Sequence, residues 1–307
     1  MRCLPLLPLI AMFAGLASAQ STPPPDDAQP YRISVNLDLV ALQATVSDKK
    51  GGFASDLREQ DFQVYEDGVR QTIRLFRHED VPVTVGLVVD HSGSMKRKLP
   101  DVVEAARTFV RSSNPQDQMF VVNFNDKVSL GLPDGTPFSD RADELDAAIG
   151  KIPAEGETAL YDAISASLER LKSGDREKKV LIVISDGGDN ASLLNLSGVL
   201  KTAGESNAVV YTIGIFEADD PDKNPDVLRK LARATGGEAF FPGAFGEVVA
   251  ICERIATDIR HQYTIGYVSG NAAKAAGYRA VRVVAHSAGK DLVVRTRTTY
   301  FAGEGVK

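Results

Sequence analysis

The sequence predicts a doubly wound α/β fold, a mainly parallel sheet with helices on both faces, accompanied by a small β-sandwich built from the two flanks of the chain. Three observations predict it. Four nearly all-apolar runs alternate with helical patterns through the middle of the chain. Segments of period-2 alternation stand on either side of that middle. The 307 residues, 43% of them apolar, suffice for one large core and a smaller one.

Taken in order, residues 1–19 have the layout of a secretory signal. Met1-Arg2 supply a small positive region, Leu4 to Leu16 form an apolar run broken by Pro5 and Pro8, and Ala17-Ser18-Ala19 fit the small-residue cleavage pattern. The run is too short and too rich in proline for a lasting membrane helix. Cys3 precedes it and is not placed to accept a lipid behind it. The expectation is an exported protein, periplasmic or extracellular, with no transmembrane segment once the signal is removed. Residues 20–30, rich in Pro and Asp, read as a disordered leader.

Residues 31–79 read as an N-terminal β segment. Ile33, Val35, Leu37, Leu39 and Ala41 alternate with Ser34, Asn36, Asp38 and Val40, and Lys49-Lys50-Gly51-Gly52 turns the chain. Phe62 to Tyr65 and Gln71 to Phe76 flank Glu66-Asp67-Gly68, a strong hairpin signal. Residues 80–261 carry the α/β pattern. Its buried strands are Val83 to Val89, Met119 to Phe124, Val180 to Ile184 and Val209 to Ile215. Val102, Val103, Ala106, Phe109 and Val110 share one helical face, as do Leu160, Ile164, Leu168 and Leu171. A helix through Leu228, Leu231 and Ala232 closes at Gly236-Gly237 with a left-handed cap, and a last helix runs from about Phe245 to Arg260. Strands alternating with helices imply right-handed crossovers. In residues 262–307 the period returns to 2, with strands at Tyr263 to Tyr267, Tyr278 to His286 and Leu292 to Thr299, the last two joined by Ser287 to Lys290. Neither flank can seal a core alone, so the two are expected to pair.

Composition excludes some functions. The net charge is -6, and no cluster of Lys and Arg resembles a phosphate-tracking surface, which argues against nucleic acid as partner. Lys96-Arg97-Lys98 reads as an exposed helix start. With the signal removed, Cys252 is the lone cysteine, and its setting in Val248 to Cys252 reads as a buried structural thiol.

In an open parallel sheet, ligands bind beyond the carboxyl ends of the strands. Asp90 ends the first buried strand and is followed by His91-Ser92-Gly93-Ser94. Asp186 follows the strand through Ser185 and precedes Gly187-Gly188, and Glu155-Gly156-Glu157 leads to Thr158 at a helix start. Two carboxylates and three hydroxyls can thus converge at one edge. Oxygen-only donors select hard cations: Mg2+ is favoured, with Mn2+ and Ca2+ as alternatives, and Zn2+ is disfavoured. A helix N-terminus just after Ser94 would add a preference for an anion.

These residues carry a family resemblance. Asp90-His91-Ser92-Gly93-Ser94 resembles the Asp-x-Ser-x-Ser motif of the metal-ion-dependent adhesion site in von Willebrand factor type A domains. Thr158 in Gly156 to Ala163 is similar to that family's threonine loop, and Asp186 in Ile184 to Gly187 to its third loop. The resemblance covers about residues 81–260 and, in its flanks, exported bacterial proteins of this type. It implies that Ser92, Ser94 and, in some states, Thr158 touch the metal, that Asp90 and Asp186 hold its waters, and that a partner's Asp or Glu completes the coordination. Glu157 departs from the pattern, since many relatives have a second glycine there; it adds an acidic side chain beside the metal loop. Glu157 and His91 are the candidate partner-facing residues, with His91 expected to be exposed. Asp162 is expected to support the loop by hydrogen bonds, and Asp189 to be a solvated turn residue.

The function expected is that of an exported, non-enzymatic binding or adhesion protein that docks a protein or peptide through an acidic side chain. A metal-dependent envelope hydrolase and a metal-stiffened scaffold are the alternatives. There is no Gly-x-Ser-x-Gly elbow, no Gly-rich phosphate loop, and no assembled nucleophile with a Lys or Arg clamp.

Overall fold

The computed structural model describes residues 39–216, 223–270, 276–287 and 291–303. The signal, the leader and the start of the first alternating strand (31–38) lie outside the described residues, as does most of the expected turn from Ser287 to Lys290. The chain enters through β1 (Leu39–Asp48), β2 (Phe62–Glu66), β3 (Val69–Gln71) and β4 (Ile73–Arg77). It continues through β5 (Val83–Asp90), α1 (Leu99–Ser112), β6 (Gln118–Phe124), β7 (Val128–Leu130), α2 (Ala142–Ile149), α3 (Leu160–Lys172), β8 (Lys178–Ser185) and α4 (Leu196–Glu205). Then come β9 (Ala208–Gly214), α5 (Pro225–Thr235), β10 (Ala239–Phe240) and α6 (Phe245–Arg260). It closes on β11 (Tyr263–Val268), β12 (Gly277–Ala285), β13 (Leu292–Arg295) and β14 (Thr299–Ala302).

The large sheet has the order β10-β9-β8-β5-β6-β7, parallel except for β7 at one edge. All eight residues of β5 are buried, which is why its sequence is nearly all apolar up to Asp90 rather than an alternation. From β5 the chain moves through α1 to β6 on one side, whereas from β8 it moves through α4 to β9 in the opposite direction. Right-handed crossovers in opposite directions put their helices on opposite faces. In keeping with this, α1 packs with α2 and α6, and α4 packs with α3 and α5. The order reverses between β5 and β8, and a crevice forms at the carboxyl ends of such a pair. Asp90 and Asp186 stand there.

The flanking strands form two antiparallel sheets, β13-β1-β11-β4 and β14-β12-β2-β3, each mixing strands from before and after the α/β layer. Leu42, Ala44, Val46, Tyr263, Ile265 and Tyr267 from the first share one buried core with Phe62, Val64, Val281 and Val283 from the second. Phe62 and Tyr263 touch across the gap, with ring centroids 5.0 Å apart. Glu66 and Val69 pair around Asp67 and Gly68, whose φ values of 48° and 82° supply the positive φ at both positions that a tight two-residue hairpin of this hand requires.

Two expected strands divide. The run Gln71 to Phe76 breaks at Thr72, so that β3 stays in one sheet and β4 joins the other. The run Leu292 to Thr299 likewise yields β13 beside β1 and β14 beside β12. At the corner of a sandwich an alternating stretch can change sheets through a bend, and alternation alone does not mark the bend.

Cys252 is buried on α6, and burial, aided by neighbouring Glu253, pushes its thiol up to about 12. A thiol held protonated and out of solvent is inert. Cys252 is therefore expected to react with a thiol reagent only after denaturation; rapid labelling of the folded protein would contradict its place in the core.

Candidate metal-ion site at the carboxyl edge of the sheet

Asp90, the last residue of β5, is fully buried. Its Oδ1 accepts the Ser92 backbone N–H at 2.8 Å and its Oδ2 accepts the Ser185 hydroxyl at 2.6 Å. Asp186, just beyond β8, accepts the Ser94 hydroxyl on Oδ2 at 2.6 Å and the Gly188 N–H on Oδ1 at 3.1 Å. The hydroxyls of Ser92 and Ser94 are 3.1 Å apart and share a hydrogen bond. Asp90, Ser92, Ser94 and Asp186 therefore form one continuous cluster of oxygens, with Ser94 on its exposed side.

The loops around this cluster are bonded to one another. Gly93 donates to Gly156 O at 3.1 Å and Glu155 to His91 O at 2.9 Å, joining the first loop to the second. The Thr158 backbone N–H donates to Asn190 Oδ1 at 2.8 Å, and the Asn190 and Ala191 backbone N–H groups both donate back to Thr158 O at 3.0 Å, joining the second to the third. Thr158, 6% exposed, is thereby fixed on the same edge. Gly187 holds φ 82°, and a Cβ there would lie 2.5 Å from Asn224 O, so only glycine allows the third loop to pass.

The two carboxylates of the cluster act on one another. Burial first, then the nearby Asp186 carboxylate, raises Asp90 to about 7 against the opposing hydrogen bonds from Ser185 and Ser92. Lys98 Nζ lies 3.8 Å from Asp186 Oδ2 and donates to Ile215 O at 3.1 Å.

Several expectations are corrected here. His91 is fully buried with Nε2 3.1 Å from Ile149 O, so it packs beneath the loop and offers nothing to a partner. Lys98, read as part of an exposed basic run, is 1% exposed, while Lys96 and Arg97 are exposed. Ser94 sits in a short 3-10 turn, Gly93–Met95, and α1 begins only at Leu99, so no α-helix N-terminus follows Ser94 directly. Asp189 is half-buried and accepts the Tyr161 N–H at 3.1 Å and the Ser192 hydroxyl at 2.5 Å, a bracing residue rather than a solvated one. Asp162 does support the loop, accepting the N–H groups of Leu193 and Leu194 at 2.8 and 3.0 Å. Glu157 is exposed on the rim. Ser185 and Asn190 are contributors that the motif does not name.

Fold and edge define the class: a doubly wound α/β domain whose loops gather carboxylates and hydroxyls at the topological switch point. The von Willebrand factor type A domain profile matches residues 84–253, more than half of the chain, and the chain belongs to that family. An uncharacterized protein of Synechocystis sp. is 26% identical over 163 residues, spanning 51% of this chain and 37% of its own length. The mouse inter-alpha-trypsin inhibitor heavy chain H2 is 27% identical over 175 residues, 52% of this chain and 18% of the relative. The chain thus spans well under half of these relatives. Among solved structures, a von Willebrand factor type A protein from Catenulispora acidiphila superposes with a TM-score of 0.52 at 16% identity, covering 84% of this chain and 74% of that one. The corresponding domain of the type V pilus tip protein Mfa5 from Porphyromonas gingivalis gives 0.50 at 14% identity, over 59% and 95%. At such identities the likeness is one of fold.

Proposed function

We propose that this chain is an exported, non-enzymatic binding protein that docks a protein or peptide partner through a Mg2+ ion at the carboxyl edge of its large sheet. The observation that carries the reading is the cluster of Asp90, Ser92, Ser94 and Asp186 at the switch point, with Asp90 buried beside a second carboxylate. That donor set fits a hard cation. It is all oxygen, mixes neutral hydroxyls with two carboxylates, and places Ser94 where solvent reaches. Among the described residues no group of three or more His, Cys, Asp or Glu side chains gathers, so an imidazole- or thiolate-rich centre is not what the edge offers.

Ser92, Ser94 and Thr158 would hold the ion directly, and Asp90 and Asp186 would hold its waters. The ion supplies a positive charge able to bind a partner's carboxylate. The chain's own residues set the geometry: Asp90 fixes the Ser92 backbone, Ser185 and Asn190 brace the loops, and exposed Glu157 repels an acidic partner from one side of the rim. Among the described residues no helix is long and apolar enough to cross a membrane. The fold shared with a pilus tip protein is in keeping with a role in binding at or beyond the cell envelope.

Calorimetric titration of the mature protein with Mg2+ tests this. Saturable one-site binding, abolished by Asp90→Ala, is the expected result. Absence of heat at millimolar Mg2+, repeated with acetate or an acidic peptide present, would sink metal-dependent docking.

A further inference from the structure

A buried ammonium stands beside the cluster, and the family motif does not account for it. Lys98 is 1% exposed, its Nζ donates to Ile215 O at 3.1 Å, and it lies 3.8 Å from the Asp186 oxygen that accepts the Ser94 hydroxyl at 2.6 Å. Taking an ammonium out of water is costly unless nearby negative charge repays it. Asp186, 1% exposed, is such a charge. We infer that Lys98 is a built-in counter-cation of the site, holding Asp186 in place without a metal and setting how tightly the site takes a divalent ion. The inference rests on the Mg2+ reading of the same cluster.

The physical consequence has a definite sign. Lys98 offsets part of the negative charge that would otherwise draw in the ion, and its ammonium repels a cation arriving at Ser92 and Ser94. The site is thereby kept in shape when empty but binds its ion less tightly than two carboxylates alone would. A partner's carboxylate adds negative charge on the open side, where Ser94 is exposed. Metal and partner then strengthen one another, because the partner restores the charge that Lys98 offsets.

The test compares wild type, Lys98→Met and Asp90→Ala by Mg2+ calorimetry, with thermal melting in EDTA and in saturating Mg2+. Methionine matches the length of the stem without the charge. Lys98→Met is expected to bind Mg2+ at least about tenfold tighter than wild type. It should also melt lower in EDTA and gain more from Mg2+ than wild type does. A lysine serving only to pack the loop predicts the opposite, since a damaged site binds more weakly. Equal or weaker Mg2+ binding by a folded Lys98→Met, beside a wild type that binds, overturns the inference and leaves the metal reading standing. No binding by either protein, with acetate or without, overturns both. Should Lys98→Met not fold, Lys98→Gln, which keeps a donor for Ile215 O, carries the same comparison.

Discussion

Deleting residues 262–307 is expected to unfold the strands at the other end of the chain. The deletion removes β11, which lies between β1 and β4, and β12, which β2 pairs with. β1 also loses β13, leaving it without a partner strand among the described residues. The shared core loses Tyr263, Ile265, Tyr267, Val281, Val283 and Ala285. At about 1.5–3 kcal/mol for each large buried side chain, the loss is on the order of 10 kcal/mol, comparable with the whole stability of an ordinary domain. The remaining β2–β3 hairpin is too small to stand in water. Limited proteolysis read by mass spectrometry should show new cuts within residues 39–79 of the truncated protein and none there in the full chain. Protection of 39–79 in the truncated form would mean that those strands are held by the α/β layer and not by the C-terminal strands.

Much of this architecture was legible because burial on both faces writes a distinctive sequence. Val83 to Val89 admit a single polar residue, Thr84, and Val180 to Ile184 admit none, and they belong to the two strands beside the crevice. The site motif was legible for a related reason: a carboxylate ending one buried strand and a second just after another fall together at any switch point. What escaped were elements without room for a pattern. β7 and β10 have three and two residues. α4 carries two glycines, Gly198 and Gly204, which weaken the helical signal that Val199 and Ala203 provide. Lys98 escaped because three successive basic residues look like a solvated face. Yet Met95, Lys98 and Val102 follow helical spacing, and Met95 and Val102 are fully buried, so the period alone would have turned Lys98 inward. His91 was misread because a variable position in a motif was equated with an exposed one. It follows a fully buried strand, and its N–H donates to Phe124 O at 2.7 Å while its ring reaches Ile149 O.

The second large effect is expected at Asp258, far from the motif in sequence. This α6 residue is 1% exposed and accepts from Thr45 Oγ1 of β1 at 2.7 Å, from the Tyr211 hydroxyl of β9 at 2.9 Å, and from Arg295 of β13. Burial holds the Tyr211 phenol well above its ordinary value, so it stays neutral and donates, while its oxygen accepts from Gln262 Nε2 at 3.0 Å. Arg295 continues the network to Gly236 O at 2.9 Å and toward Glu238 at 3.5 Å. One carboxylate thus ties the last helix and a strand of the large sheet to two strands of the sandwich. Asp258→Ala leaves a hydroxyl, a phenol and a guanidinium without their acceptor. Breaking a buried ion pair from one side costs about 3–5 kcal/mol. At about 2–4 °C per kcal/mol, the melting temperature should fall by roughly 6–20 °C. Removing both charges in Asp258→Ala with Arg295→Met should cost less than the sum of the two single changes, because no unpaired charge remains. A single-variant loss below about 1 kcal/mol would show that the desolvation of these groups already cancels their bonds, and that apolar packing alone joins the two layers.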